Sequence, residues 1–305
     1  SRNGDVLAFN TPITLVTQEP WNRVLFDPVR DANPFFHLFE GLWMLAGRQD
    51  LKFVEQYIPG MSEYSDDGVI LNGAYGARWR SYFEKDQLEI VIQKLIADPN
   101  DRRVVISMWD AYKDLESNSK DIPCNIVILP RIITSPAYIH DELEITIINR
   151  SNDIIWGMTG ANAVHMSMLQ EYLAARLGVQ MGNMYQVSTN AHVYLGVFDK
   201  YQERCFNDHY FTEDRRIPGD KAWPLVDHPN EFDMDVINWC NHPSESSKDD
   251  YFNTFFNYVA TPMYQAWAAW KAKDFATALK RANTVYADDW RRAAVAWINR
   301  RYKKG

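Results

Sequence analysis

The run from Pro34 to Gly47 constrains this chain more than any other. Phe35, Phe36, Leu38, Phe39, Leu42, Trp43 and Leu45 occupy most sides of a helical wheel, and Asn33-Pro34 supplies the cap and first-turn proline that start a helix. A helix that is apolar nearly all round has to be buried, so the rest of the chain must wrap it. Glu40 lies in its middle, where an ionised carboxyl is costly. That makes Glu40 the first candidate for chemistry.

Around this helix the pattern alternates helices and strands. A helix is expected over Gln87–Ala97, ended by Asp98-Pro99-Asn100, and another over Ala161–Leu177, closed by Gly178. Val- and Ile-rich runs predict strands at Arg103–Trp109, Asn125–Ile133, Leu143–Ile148 and Met184–Val187. The stretch 207–247 is polar and rich in Pro, Asp, Asn and His, and reads as a surface insertion; from Tyr251 onward three Trp- and Ala-rich helices form a tail. The expectation is one α+β domain over residues 1–305, with a mixed β-sheet, flanking helices and extra C-terminal helices.

With 305 residues, 46% of them hydrophobic, the chain can bury a large core. A net charge of −8 argues against a general nucleic-acid binder, since no broad basic surface can track a phosphate backbone. No apolar run reaches the roughly 20 residues of a membrane span and no signal peptide opens the chain, so a cytoplasmic protein is expected. Three cysteines without CxxC spacing fit a reducing compartment and predict neither a disulfide framework nor a metal site.

Two features suggest covalent chemistry on a small anion. Pro123-Cys124 offers a soft nucleophile, and Arg102-Arg103 with Arg150-Ser151-Asn152-Asp153 offers guanidinium forks for one phosphate. A thiolate adds well to the electron-poor C6 of a pyrimidine ring. Taken alone each piece has an ordinary reading. Cys124 could be an inert strand residue, Arg102-Arg103 a solvated pair, Glu40 the partner of an arginine such as Arg80, and Asp153 a turn cap. Tyr75 and Trp43 could be core aromatics, and His192 a satisfied core histidine.

Taken in order, these segments resemble the thymidylate synthase and pyrimidine-nucleotide hydroxymethylase superfamily. Arg2-Asn3-Gly4 resembles its phosphate-gripping arginine loop, and Glu40-Gly41-Leu42-Trp43-Met44-Leu45-Ala46-Gly47 its Glu-Leu-Leu-Trp-Phe-Leu-x-Gly helix. Tyr75-Gly76-Ala77-Arg78-Trp79-Arg80 resembles its Tyr-Gly-x-x-Trp-Arg segment; Asp101-Arg102-Arg103, Pro123-Cys124, Arg150-Ser151-Asn152-Asp153 and His192-Val193-Tyr194 complete the set. The resemblance implies that Cys124 attacks C6, its thiolate favoured by nearby arginines, while Glu40 orders water and shuttles protons, with Tyr75 beside them. It implies that Arg2, Arg150, Ser151 and Asn152 hold the nucleotide, that Arg102 and Arg103 reach into the other subunit of a two-fold dimer, and that His192 and Tyr194 bind the deoxyribose. Asp153 and Trp43 would hold the folate, 5,10-methylenetetrahydrofolate, and no metal is involved.

The departures from the synthase pattern bear on the product. Asn125 stands where the synthases carry histidine after the nucleophile. Gly157-Met158-Thr159-Gly160-Ala161-Asn162 replaces their Gly-x-Pro-Phe-Asn segment, with the asparagine one residue late. The chain ends in a basic helix, Arg291 to Lys304, where the synthases carry a short apolar tail that closes over the folate and keeps water out. Such features look more like the bacteriophage-type deoxyuridylate or deoxycytidylate 5-hydroxymethyltransferases, enzymes of DNA hypermodification, in which water captures a methylene on C5. Reductive methylation of dUMP to dTMP and a catalytically inactive nucleotide binder stay open as alternatives. Asn162, or else His165, is expected to read the base. An amide there favours uracil over cytosine, because it can donate to O4 and accept from N3–H.

Overall fold

The computed structural model describes residues 4–134, 140–205, 222–247 and 249–302. Its centre is helix α1 (Pro34–Leu45), capped as the sequence predicts: the Asn33 side chain accepts hydrogen bonds from the backbone N–H groups of Phe35 and Phe36 at 3.1 and 3.2 Å. Eleven of its twelve residues are buried, Glu40 being the exception. Phe35, Leu38, Phe39 and Leu42 are completely inaccessible.

Short helices α2 (Leu51–Glu55) and α3 (Tyr75–Arg80) and the longer α4 (Gln87–Ala97) follow. The α3 backbone lies directly on α1, because Gly76 has no side chain there: a Cβ would stand 2.2 Å from the Met44 carbonyl oxygen. The arginines of α3 are structural. Arg78 forms a buried pair with Asp114 and bonds the Met108 carbonyl. Arg80 bonds Asp86, Asp233 and the Leu45 carbonyl, and so does not pair with Glu40.

Two sheets hold the strands. The first, β1 (Val6–Ala8), β8 (Ala191–Tyr194) and β6 (Asn152–Asp153), has β8 in the middle, antiparallel to β1 and parallel to β6. The second has the order β2 (Ile13–Thr17), β7 (Gln180–Ser188), β5 (Glu142–Asn149), β4 (Asn125–Ile133) and β3 (Ile106–Ser107). Only the β5–β7 pair in it is parallel, which gives the mixed sheet expected. The strand predicted over Arg103–Trp109 shrinks to two residues, since Arg102 and Arg103 turn outward and Met108 and Trp109 bond a single carbonyl, that of Ile126.

Along β5 burial alternates strictly. Leu143, Ile145 and Ile147 face the core, where α5 (Ala161–Leu177) lies against β5 and β7 and α1 packs behind α5. The opposite face, with Val127, Leu129, Ile148, Tyr185 and Val187, is only half buried.

Of the stretch 207–247, residues 207–221 lie outside the described residues. The remainder corrects the expectation of a surface insertion: α7 (Phe232–Asn241), which follows α6 (Leu195–Cys205), buries Phe232, Val236 and Trp239 completely, and Trp239 stacks on Phe39 of α1 at 5.4 Å. Asn238 and Asn241 face outward while Asp235 is buried and accepts from Asn253, so the average polarity hides a helix with a buried stripe. Helices α8 (Thr261–Lys271), α9 (Phe275–Ala282) and α10 (Asp288–Tyr302) complete the wrapping of α1. Phe35 meets Trp267 at 5.3 Å and Trp297 at 5.5 Å, and Asp31, just ahead of α1, pairs with Arg300 and Arg301 at 3.0 and 2.9 Å.

Candidate active site

Cys124 sits immediately before β4, and Arg150 immediately after β5. The Arg150 backbone N–H bonds the Cys124 carbonyl at 2.9 Å, so the two lie side by side at one end of the antiparallel pair. A bulge between Asn125 and Val127 follows at once, and a bulge re-aims the residues beside it. The Arg150 guanidinium turns back on the loop, its Nε donating to the Pro123 carbonyl and its Nη2 to that of Ile122, both at 3.0 Å. Arg150 therefore shapes the turn that presents the thiol.

Cys124 opens into a cavity of about 250 Å³ that also takes in Glu40, Trp43, Tyr75, Asn162 and His165. Tyr75 Oη accepts the Asn125 N–H at 3.3 Å, next to the thiol. Trp43 presents its ring to the cavity and ties its Nε1–H to the Asp50 carbonyl at 3.2 Å. Asn162 donates to Asn152 Oδ1 at 3.1 Å and thus reaches the cavity despite its late position in the sequence. The reason is the turn before α5. Ile154–Met158 is a π turn whose Thr159 N–H reaches back five residues to the Ile154 carbonyl at 2.9 Å, and such a turn takes up one residue more than an α turn.

Burial dominates the electrostatics of this cavity. It pushes the Glu40 carboxyl up to about 8, with the nearby Asp121 carboxylate adding to the rise. It lowers His165 to about 3, against a smaller opposing effect of the bond to the His37 carbonyl. It also raises the Cys124 thiol, and Arg150, which pulls the other way, does not overcome it. This corrects the expectation of a thiolate favoured by arginines: Cys124 is a thiol at rest. Asp121, which sequence reasoning missed, raises both catalytic candidates. It is fixed by the Gly73 N–H at 2.8 Å, where any side chain at Gly73 would collide with it.

A second, larger cavity of about 980 Å³ adjoins the first, with Met61 and Tyr64 in the wall common to both. Trp156 and Tyr194 line it, and His192 lies against Tyr194 with ring centroids 5.4 Å apart. Asp153 caps the π turn with Oδ1, as the ordinary reading supposed, yet its Oδ2 is buried without a hydrogen-bond partner. Met61 and Tyr64 were also missed, because no spacing rule marks a short 3-10 turn such as Met61–Tyr64 as a wall between two chambers.

Seven expected residues, Arg102, Arg103, Arg150, Ser151, Asn152, Asp153 and His192, line neither cavity within one chain. Arg102 and Arg103 are exposed, with Arg103 paired to Asp101 at 3.0 Å, and Ser151 lines neither chamber. Arg2 lies outside the described residues. Among the described residues no group of three or more His, Cys, Asp and Glu side chains is placed to hold a metal ion, and no helix is long and apolar enough to cross a membrane.

The thymidylate synthase family model matches residues 36–244, more than half of the chain. The chain belongs to the thymidylate synthase family. Within that family it is 43% identical over 312 residues to a deoxyuridylate hydroxymethyltransferase of Pseudomonas phage M6, covering 99% of this chain and 87% of that protein. A deoxyuridylate hydroxymethyltransferase of Bacillus phage SP01 is 35% identical over 225 residues, which covers 68% of this chain and 56% of the relative. Among solved structures, the crystal structure of thymidylate synthase from T4 phage matches with a TM-score of 0.52 at 19% identity, covering 67% of this chain and 73% of that one; at this identity it attests the fold. Hydroxymethyltransferases and thymidylate synthases alike transfer one carbon, and this thymidylate synthase family member is a one-carbon transferase.

Proposed function

We propose that the protein is a deoxyuridylate 5-hydroxymethyltransferase of the cytoplasm, converting dUMP with 5,10-methylenetetrahydrofolate and water. The observation that carries the reading is the small cavity, which gathers a cysteine, a carboxyl held neutral near pH 7 and an asparagine amide around one pyrimidine-sized space. The adjoining chamber suits a folate: aromatic side chains line it, and the nearby unpartnered Asp153 Oδ2 is an acceptor for the paired N–H donors of a pterin.

In this mechanism the Cys124 thiol releases its proton to solvent as the sulfur bonds C6, and the displaced electron pair moves through C5 toward O4. Glu40, still protonated, hands a proton to the oxygen where charge builds. The folate supplies the carbon that becomes bonded to C5. Loss of the C5 proton and of tetrahydrofolate leaves an exocyclic methylene on the ring. Glu40 holds the water that adds to it, and expulsion of Cys124 restores the C5–C6 double bond. No electron pair leaves the folate as hydride, so it departs as tetrahydrofolate. Asn162 reads the uracil edge, donating to O4 and accepting from N3–H.

The reading includes a homodimer in which Arg102 and Arg103 complete the phosphate site of the partner, together with Arg2 and Arg150. What supports it is that both arginines face outward, away from the cavities of their own chain, and that one face of the large sheet leaves Val127, Leu129, Ile148, Tyr185 and Val187 half covered. Mass spectrometry of the products formed from dUMP and from dCMP tests the function directly. A hydroxymethyl gain on dUMP is expected, whereas a methyl gain with stoichiometric dihydrofolate absorbing near ~340 nm would return the chain to the synthases.

A further inference from the structure

Behind the asparagine that meets the base lies a second amide. Asn152, on β6, is 3% exposed and lines neither cavity. Its Oδ1 nevertheless accepts the hydrogen bond from Nδ2 of Asn162, in the first turn of α5, at 3.1 Å. Two features hold Asn152 in place. Its backbone N–H bonds the Asn190 carbonyl at 3.0 Å, where β6 runs beside β8. Its amide also lies against Gly157 of the π turn. A Cβ at Gly157 would stand 2.3 Å from Asn152 Oδ1 and 2.9 Å from Asn162 Nδ2, so a side chain there would push between the two amides.

An amide nitrogen carries two hydrogens. Asn162 spends one of them on Asn152, which leaves the other, together with Oδ1, for the cavity. Uracil presents an acceptor at O4 and a donor at N3, whereas cytosine presents a donor at N4 and an acceptor at N3. Turning the Asn162 amide over would exchange its N–H and its oxygen, and so would suit cytosine. With Asn152 Oδ1 beside it, a turned Asn162 would set oxygen against oxygen, two buried acceptors with no hydrogen between them. We propose that Asn152 is a positioning residue for Asn162: its carbonyl oxygen fixes which end of the neighbouring amide faces each atom of the base, and so sets the choice between uracil and cytosine. The inference rests on the reading of Asn162 as the group that meets the base. It gives Asn152 a role at one remove from the nucleotide.

The test is the ratio of kcat/KM for dUMP to that for dCMP, with methylenetetrahydrofolate and read on whichever one-carbon product forms. Asn152→Leu, close in shape but without an acceptor, should lower that ratio about 10- to 100-fold. Asn152→Asp, which keeps acceptor oxygens, should hold it within about threefold of the wild type. Gly157→Ala leaves both amides in the chain but forces them apart, and should lower the ratio as Asn152→Leu does. In an Asn162→Asp background, where an ionised carboxylate has no end to choose, Asn152→Leu should change the ratio by less than about twofold. Calorimetric dissociation constants for the two nucleotides, measured without folate and with Asn152→Leu placed in Cys124→Ser, should shift in the same sense, which a general loss of stability would not produce. An unmoved ratio in Asn152→Leu, or in Gly157→Ala should the leucine variant fail to fold, would overturn the proposal, as would an equal loss in Asn152→Asp. A methylated product with the ratio still responding would sink the hydroxymethyl assignment alone. An Asn162→Asp variant with wild-type selectivity would remove the base reader and the proposal together.

Discussion

Glu40→Gln should make the protein more stable at alkaline pH while it disables the enzyme. An unfolded glutamate ionises near 4.5, and the folded one near 8. Between these values the unfolded state has released its proton and the native state has not, so stability falls as pH rises and the loss is complete above the folded value. Integrated over the titration, the penalty grows by about 3 kcal/mol from about pH 5.5 to about pH 8.5, because each unit of displacement is worth about 1.4 kcal/mol. Glutamine nearly preserves the shape and never ionises, so the gap between variant and wild-type stability should widen by that amount. For a chain of this size, thermal melts would show it as roughly 5 °C. The assay is a pair of Tm-against-pH curves, whose difference isolates Glu40 from every other titrating group. Parallel curves would refute the reasoning, since they would mean that Glu40 is already ionised at neutral pH. The same substitution should reduce kcat by about 10²- to 10⁴-fold if Glu40 is the general acid.

Cys124→Ser should bind dUMP with near-normal affinity by calorimetry yet lose turnover by several orders of magnitude, and retention of more than a few per cent would exclude covalent addition. Mixing and refolding Cys124→Ser with Arg103→Ala should restore about a quarter of the wild-type activity if each site draws arginines from the partner, as random pairing of two protomers predicts; no recovery, or a monomer by light scattering, contradicts the shared site. Asn162→Asp should lower kcat/KM for dUMP and raise it for dCMP, because a carboxyl suits the cytosine edge. Gly76→Ala, whose new Cβ would stand 2.2 Å from the Met44 carbonyl oxygen, should destabilise by at least about 3 kcal/mol without altering any cavity residue; an unchanged Tm would show that α3 can move off α1.

The parts of the molecule legible in the sequence are those governed by local pattern. The boundaries of α4, β4 and α5 match the expected ones residue for residue, because capping groups and β-branched runs act within a few residues. Where the pattern failed, long-range packing decided. Helix α7 was read as surface because the polarity of its segment was averaged, whereas one buried stripe, Phe232, Val236 and Trp239, reaches α1. At the site, the sequence order brought Cys124, Glu40, Tyr75, Trp43 and Asn162 to one cavity. It could not foresee the resting state of the thiol, since burial and the charge on Asp121 arise only once the chain is folded. Nor could it foresee that Arg150 spends two of its N–H groups on the backbone that carries Cys124.

The aromatic clasp around α1 has a consequence for how the enzyme comes into being. Phe35 belongs to α1, and Trp297, which packs on it, belongs to α10, far downstream in the chain. The Asp31 bridges to Arg300 and Arg301 join the same two ends of the chain. Contacts so distant in sequence close late and slowly. The helix that bears Glu40 therefore waits, incompletely enclosed, until α10 has been synthesised. A chain that stops short of α10 would have the nucleophile and its strand but no settled wall opposite them, so catalytic competence arrives with α10.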